Sequence, residues 1–204
     1  MHAATRTTGK TLWVAIRAIL ACTLVLGVGY TALITGIGQL ILPAQANGSK
    51  VTTQGGETVG SALIGQAFVD SAGDPLPQYF QPRPSAAGDG YNAGASSGSN
   101  WGPENEELIA AIAERQDQIS KRDGVDVKQI PADAVTASSS GLDPHISPEY
   151  ARLQVARVAT ARELPVERVQ ALVAAHTEAP DLGFLGEPRI NVLQINLELD
   201  ELEG

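Results

Sequence analysis

The sequence predicts a single N-terminal transmembrane α-helix followed by an extracytoplasmic α+β domain, for three reasons. Residues 18–42, AILACTLVLGVGYTALITGIGQLIL, hold no charged side chain. The bases ahead of that run, Arg6, Lys10 and Arg17, all lie on its N-terminal side, and no acid precedes Glu57. Beyond it, helical patterns opened by proline and acids alternate with a long Gly- and Pro-rich loop, and the chain closes in an alternating apolar run.

At about 1.5 Å per residue, the uncharged run exceeds a hydrocarbon core of roughly 30 Å and reads as one tilted span. Basic residues on one side only put residues 1–17 in the cytoplasm and the bulk of the chain outside, in the cell membrane. Arg17 can snorkel to the inner interface. A cleaved signal peptide ending at Ala44-Gln45-Ala46 is the competitor, but its apolar part would far exceed the usual length of about 7–15 residues. Lipid attachment at Cys22 fails because Arg17 leaves too short an apolar run before it. Cys22, Gly29, Ala32 and Gly36 recur at helical spacing and form a small-residue face that would let another membrane helix pack closely. Two tempting motifs carry nothing here. ATRTTGKT, residues 4–11, resembles a phosphate loop but lacks the strand that must precede one. GVGY, residues 27–30, resembles part of a potassium filter but lacks a pore to hold non-helical backbone.

Residues 43–204 contain all 23 acids and 11 of the 14 bases, a formal net of −12. Such a surface repels phosphate backbones and anionic lipid, so nucleic acid is not an expected partner and membrane lipid is met through residues 18–42 alone. Cys22 is the single cysteine, which excludes an intrachain disulfide and a cysteine zinc site.

Residues 43–60 are polar, rich in Gly, Thr and Gln, and read as a tether; residues 61–204 form the outer domain. ALIGQAFVD, residues 62–70, has the composition of a buried strand or a short helix, and the pattern does not choose. Residues 71–103 carry Pro75, Pro77, Pro82 and Pro84 with repeated Gly, Ser and Asn, a loop long enough to be functional and, with its aromatic residues, ordered. Residues 103–124 form a helix: Pro103 suits a first turn, Glu104, Glu106 and Glu107 favour the positive end, Lys121 and Arg122 the negative end, and Gly124 caps it. Leu108, Ala111, Ile112 and Ile119 supply its apolar side.

SGLDPHISPEYA, residues 140–151, reads as helix initiation: Asp143-Pro144 turns the chain, Ser147 caps, Pro148 and Glu149 open the helix. Tyr150, Leu153, Val155 and Val158 are core candidates, and Arg152, Arg157 and Arg162 are expected to point elsewhere. A further helix starts at Pro165, with Val166, Val169, Leu172 and Val173 on one side. RINVLQINLELDELEG alternates as a strand, Ile190 and Val192 in one phase and Ile195, Leu197 and Leu199 in the other. The change of phase near Leu193 suggests a bulge in a central strand.

His145 is one of three histidines. A metal would want further ligands at recognisable spacing, and none accompany it; it is expected to bracket loop and helix. GASSG, residues 94–98, matches the G-x-S-x-G elbow, but DGYNA before it is no hydrophobic strand. A membrane-anchored extracytoplasmic hydrolase would need Ser96 or Ser140 to converge with His145 and an acid such as Asp143. A secreted binding protein would require cleavage after Ala46.

The single membrane helix, GSALIGQAF, YFQPRPSA, SGSNWGPENEEL, VTASSSGLDPHISPEYARLQVARVATAR and GEPRINVLQINLELD occur in an order that resembles the C-subunit family (KdpC) of the Kdp potassium-transporting P-type ATPases. The resemblance implies a non-catalytic subunit of a hetero-oligomer, whose partners are a potassium-translocating subunit, an ATP-hydrolysing P-type subunit and a small single-helix subunit. The complex uses ATP and K+. Members of the family are described as ATP-binding catalytic chaperones that raise the ATP affinity of the hydrolysing subunit. This chain lacks the D-K-T-G-T phosphorylation motif, and no cofactor is assigned to it. Arg83, Asn100, Asp143, His145, Arg189 and Asn191 are the polar positions within the matching blocks, candidates for loop bracing or partner contact.

Overall fold

The computed structural model describes residues 3–202, with side-chain surroundings from residue 8 onward. The chain divides into two compact units, Met1–Ser49 and Lys50–Gly204.

The first unit is a helix in three geometries: α1 (Ala3–Cys22), a π-helical stretch over Thr23–Tyr30, and α2 (Thr31–Ile41). The backbone stays in the right-handed helical region at the junction residues Cys22, Tyr30 and Thr31, so the rod is continuous. The portion Thr8–Ile41, 34 residues, is long and apolar enough to cross a membrane, and none of it is buried in this chain. The helix therefore begins well before Ala18, because nothing ahead of that residue stops it: Lys10 and Arg17 are good helix formers and no proline intervenes. Residues 4–11 lie inside α1, helical rather than looped as a phosphate cradle must be. Arg17 stacks its guanidinium 4.9 Å from the Trp13 ring. At Leu42 the backbone leaves the helical region, as expected ahead of Pro43, and a short helix α3 (Pro43–Ala46) follows.

In the π-helical stretch each turn holds more residues than an α turn. Rows that stack every 3.6 residues are thus interrupted between Cys22 and Gly29, whereas Ala32 and Gly36 keep α spacing within α2. All four small residues are exposed in the isolated chain.

The second unit opens with an antiparallel hairpin, β1 (Lys50–Thr52) and β2 (Thr58–Ser61), turning at Gly56 with φ +82°. The second half of the expected tether is thus folded, since β-branched Val51, Thr52, Thr58 and Val59 flank a Gly-Gly turn. Residues 62–70 are neither a long strand nor a helix, and the loop to residue 103 holds only a short 3-10 turn, Ala93–Ala95. The helices are α4 (Glu106–Asp123), α5 (Ala132–Val135), α6 (Pro148–Ala161), α7 (Val166–Ala175) and α8 (Val192–Glu201). A second antiparallel ribbon joins β3 (His145–Ile146) to β4 (Ile190–Asn191), with His145 opposite Asn191 and Ile146 opposite Ile190. The unit is α+β with the strands reduced to two small ribbons.

α4 starts at Glu106 rather than with Pro103 in its first turn, and Asn105 caps it: its side chain accepts the Leu108 N–H. Gly124 closes the helix at φ +68°, where its N–H bonds the Ser120 carbonyl. Ile119 is buried in the core and Ile112 packs against the same cluster. Ser147 caps α6 through the Tyr150 N–H, and the Ser147 N–H and hydroxyl donate to Asp133 at 2.7 and 2.9 Å, pinning α5 to the start of α6. Tyr150, Val155 and Val158 lie in the core, and α7 adds Val169, Leu172 and Val173. Val166 is 39% exposed and stays outside it.

Two expectations fail. The C-terminal run is a helix, not a central strand. Asn191 accepts the Gln194 N–H as an N-cap, and buried Val192, Ile195, Asn196 and Leu199 recur at i, i+3, i+4 and i+7. The apparent change of strand phase near Leu193 was this helical period. Arg157 and Arg162 do not point outward either; their side chains are 8% and 3% exposed. Arg157 Nε pairs with Asp123 at 2.6 Å, and Arg162 pairs with Asp200 at 2.7 Å and stacks on the Tyr79 ring. Buried guanidinium groups are tolerable because each is matched by a carboxylate and by backbone carbonyls. Arg152 is exposed, paired with Glu149.

Candidate functional site

The proline-closed turn at residues 140–147 is where most of the candidate residues meet. Asp143 makes an Asx turn: its Oδ1 accepts the His145 N–H at 3.0 Å and lies 3.4 Å from His145 Nδ1. Its Oδ2 accepts Arg83 Nη1 at 2.9 Å. Arg83 arrives from the YFQPRPSA segment and also donates Nη2 to the Thr136 carbonyl at 3.4 Å. Two residues on, the Ser85 hydroxyl donates to the Gly141 carbonyl at 2.6 Å. At this turn the two sequence blocks are thus locked together by the Arg83–Asp143 ion pair and by the hydrogen bonds of Arg83 to Thr136 and of Ser85 to Gly141. Gly141 is obligatory in that lock: its φ is +66°, and a Cβ would meet the Ala87 N and the Ser97 carbonyl at 2.7 Å.

Both oxygens of Asp143 are occupied, so it acts as an orienting group. Its burial would raise the carboxyl pKa. The His145 ring and backbone N–H and the Arg83 guanidinium more than reverse this and hold it below the ordinary aspartate value.

From the opposite side comes the segment ahead of β4. Arg189 exchanges both backbone hydrogen bonds with Glu178, and its guanidinium reaches Glu178 at 3.0 Å and Asp181 at 3.4 Å. These bonds brace the base of a turn closed by Asp181 and Leu185, whose N–H groups each reach the other's carbonyl at 2.9 Å. The tip is apolar and open: Leu182, Phe184 and Leu185 are 83%, 74% and 49% exposed. Below it, Arg83, Asp133, Asp143, His145, Glu187 and Arg189 line a cleft of about 380 Å³. Charges of both signs around a recess, beside an exposed apolar tip, suit recognition of a polypeptide surface.

Four of the six polar candidates, Arg83, Asp143, His145 and Arg189, therefore line one cleft. Asn191 lies directly beneath, 3% exposed, donating to the Ala62 carbonyl at 2.8 Å while capping α8. Asn100 lies elsewhere, in the exposed loop at φ +55°, donating to the Gly98 carbonyl. Asp133 and Glu187 were not singled out from sequence; Glu187 sits in the matching GEPRINV block, but nothing local marks Asp133. The hydrolase alternative loses its geometry. Ser96 Oγ donates to the Ser140 carbonyl, Ser140 Oγ accepts the Leu142 N–H, and neither bonds His145. Among the described residues no three His, Cys, Asp or Glu side chains converge as a metal site requires.

Comparison with known proteins gives the same family that the motifs suggested. The family model described as KdpC, the K+-transporting ATPase c chain, matches residues 12–201. A potassium-transporting ATPase KdpC subunit of Gemmatimonas aurantiaca is 58% identical over 185 residues, 90% of this chain and 89% of the relative. One of Beijerinckia indica is 53% identical over 178 residues, 87% of each chain. One of Mycobacterium tuberculosis is 48% identical over 189 residues, 92% of this chain and 96% of the relative. The matched span takes in α2, both ribbons and every residue lining the cleft, so the chain belongs to the KdpC family, the c chain of the K+-transporting ATPase.

Proposed function

We propose that the chain is the accessory, non-catalytic subunit of a high-affinity, ATP-driven potassium-uptake complex in the cell membrane. It assembles there with the potassium-translocating subunit, the ATP-hydrolysing P-type subunit and the small single-helix subunit. The observation that carries this reading is the family match across residues 12–201, which includes most of the membrane-length helix and all of the cleft. The bias of basic residues to the N-terminal side of the helix supports an N-terminus in the cytoplasm and a second unit outside. The apolar tip at Leu182, Phe184 and Leu185, with the Arg83–Asp143–His145 cleft behind it, is the surface that docks on a partner subunit.

In this arrangement the chain raises the ATP affinity of the hydrolysing subunit indirectly, through assembly, because its folded unit stands across the membrane from cytoplasmic ATP. The formal net of −12 over residues 43–204 has a second consequence. Those acids raise the local K+ concentration modestly within a screening length of about 8 Å at physiological salt, while selectivity stays with the partner.

The test is a pull-down of tagged chain from mild-detergent membranes of potassium-starved cells, with mass spectrometry and an ATPase assay on the eluate. Recovery of a P-type ATPase and a large polytopic subunit with K+-stimulated hydrolysis supports the reading, and Phe184→Ser should lower that recovery. A chain that emerges alone, where other membrane complexes stay whole, refutes it. ATP photolabelling of residues 43–204 in intact cells would defeat the indirect route. Uptake affinity at low K+ and low ionic strength that is unchanged after neutralising several surface acids would defeat the concentrating role.

A further inference from the structure

A second recess opens on the other side of Arg83, with a lining whose charge runs against the rest of the domain. Arg115, Gln118 and Arg122 stand at i, i+3 and i+7 on α4 and so share one face. They meet Arg83 from the proline-rich loop and the Tyr150 hydroxyl around a cavity of about 220 Å³. No Asp or Glu lines it, in a segment holding 23 acids and 11 bases.

Much of the donor capacity here is unspent. Arg83 Nε is buried and has no hydrogen-bond partner among the described residues, although Nη1 and Nη2 are engaged on the cleft side. Arg122 is balanced by Asp123 through Nε and Nη2 and donates to Tyr150. Arg115 donates Nη1 to the Val135 carbonyl at 2.8 Å and forms no ion pair with an acid among the described residues. Asp123 is shared between Arg122 and Arg157, so the local balance is four guanidinium groups, Arg83, Arg115, Arg122 and Arg157, against two paired carboxylates, Asp143 and Asp123, an excess of two positive charges. Fork-shaped donors around a small polar space are the arrangement that binds oxyanions. The size narrows the class further: sites for drug-sized ligands run to about 300–1,000 Å³, so this one takes a group of a few heavy atoms and not a nucleotide.

We propose that this recess is an oxyanion-binding site for a single phosphate-, sulfate- or carboxylate-sized group, with Arg115 supplying the uncompensated charge and Arg83 Nε and Arg122 the flanking donors. The group is either a free inorganic anion or an acidic side chain offered by a partner subunit.

The experiment has two arms. In the first, full-length chain in non-ionic detergent is titrated with sodium phosphate, sulfate or acetate at constant ionic strength and followed by calorimetry. Saturable one-site binding is expected, weakened about tenfold or more by Arg115→Gln, as loss of a charge-assisted hydrogen bond implies. Gln118→Glu, a change on the exposed part of α4, places a carboxylate in the recess and should weaken it similarly even if Arg115→Gln misfolds. Arg152→Gln, on the exposed face of α6, should change nothing. In the second arm, recovery of partner subunits is compared for the same variants. Anion binding with normal recovery identifies a free ion as the ligand. Lowered recovery without anion binding identifies a partner carboxylate. No saturation with any of the three anions together with normal recovery of both variants overturns the proposal, and so does anion binding that both variants leave intact.

Discussion

Asn196 tests how the second unit is held together. It lies on α8, 1% exposed, and its amide grips one residue of the proline-rich loop from both sides. Oδ1 accepts the Phe80 N–H at 2.8 Å, and Nδ2 donates to the Phe80 carbonyl at 2.9 Å. Phe80 is itself fully buried, so neither backbone group can turn to water. Asn196→Leu keeps the volume and orphans both groups. At about 1–3 kcal/mol for each unsatisfied buried group, the cost is about 2–6 kcal/mol. For a unit of this size that is a fall in Tm of about 5–20 °C. Asn196→Asp is sharper, because it keeps an acceptor for the N–H but sets a carboxylate against the Phe80 carbonyl unless it is protonated. Its folded pKa is therefore raised, the native state binds the extra proton, and the penalty grows as pH rises above the ordinary aspartate value of about 3.9. The assay is urea unfolding of the full chain in micelles by circular dichroism, variant against parent, from about pH 4 to about pH 7.5. If Asn196→Leu costs less than about 1 kcal/mol, or the Asn196→Asp deficit does not widen with pH, the two-sided grip is not what holds the loop.

Four other outcomes are expected. Arg157→Met leaves the fully buried Asp123 carboxylate with Arg122 alone and takes the donor from the Pro77 and Tyr79 carbonyls, which should cost about 2–4 kcal/mol in the same unfolding assay. Gly141→Ala must carry a side chain at φ +66° into the backbone of Ala87 and Ser97, so a loss of roughly 2 kcal/mol or more, with weaker partner recovery, is expected. Asp143, whose native pKa is depressed, contributes stability that is present above about pH 3.9 and is lost as pH falls through its lower folded value. Asp143→Asn should therefore flatten part of the acid limb of the stability curve. Leu199→Ala, at a fully buried site, should cost about 2–5 kcal/mol, and Leu197→Ala, partly exposed, clearly less. Equal costs would fit a strand that puts both residues on one face and would contradict α8.

The parts legible from sequence are those written in local chemistry. The uncharged run marks the membrane-length helix, Ser147-Pro148-Glu149 marks the start of α6, and Gly124 marks the end of α4, because caps and proline act within a few residues. The motif blocks carried the family. At the cleft, Arg83, Asp143, His145 and Arg189 could be picked as polar residues in those blocks, but their meeting could not. Arg83 and Asp143 are 60 positions apart, and Asp133 joins through the α6 cap. The C-terminal run misled because short amphipathic helices and two-phase strands share an alternating look over a few residues. Asn191 decides it, an N-cap immediately before the periodic residues.

The misplacement of Arg157 and Arg162 has the same root as the missing sheet. A helical unit that threads a long proline-rich segment through its core must satisfy that segment's backbone without a ladder of strands. Here side chains do it. Arg157 holds the Pro77 and Tyr79 carbonyls, Arg162 the Gln78 carbonyl, Asn196 both groups of Phe80, and Gln154 both groups of Gln81. Four side chains, two from α6 and one each from its C-cap and α8, thus stand where neighbouring strands would be. That explains why guanidinium groups are buried, why Asp123 and Asp200 lie beside them as counter-charges, and why Gln154 and Asn196 are polar at core positions. It also ties packing to the two proposed binding recesses, because the chain gripped at Phe80 and Gln81 continues through Pro82 to Arg83, which lines both. Loosening any one of the four grips should therefore move Arg83 and, on the proposed docking surface, lower partner recovery together with stability, whereas an apolar core change on α7, such as Val169→Ala, should lower stability alone.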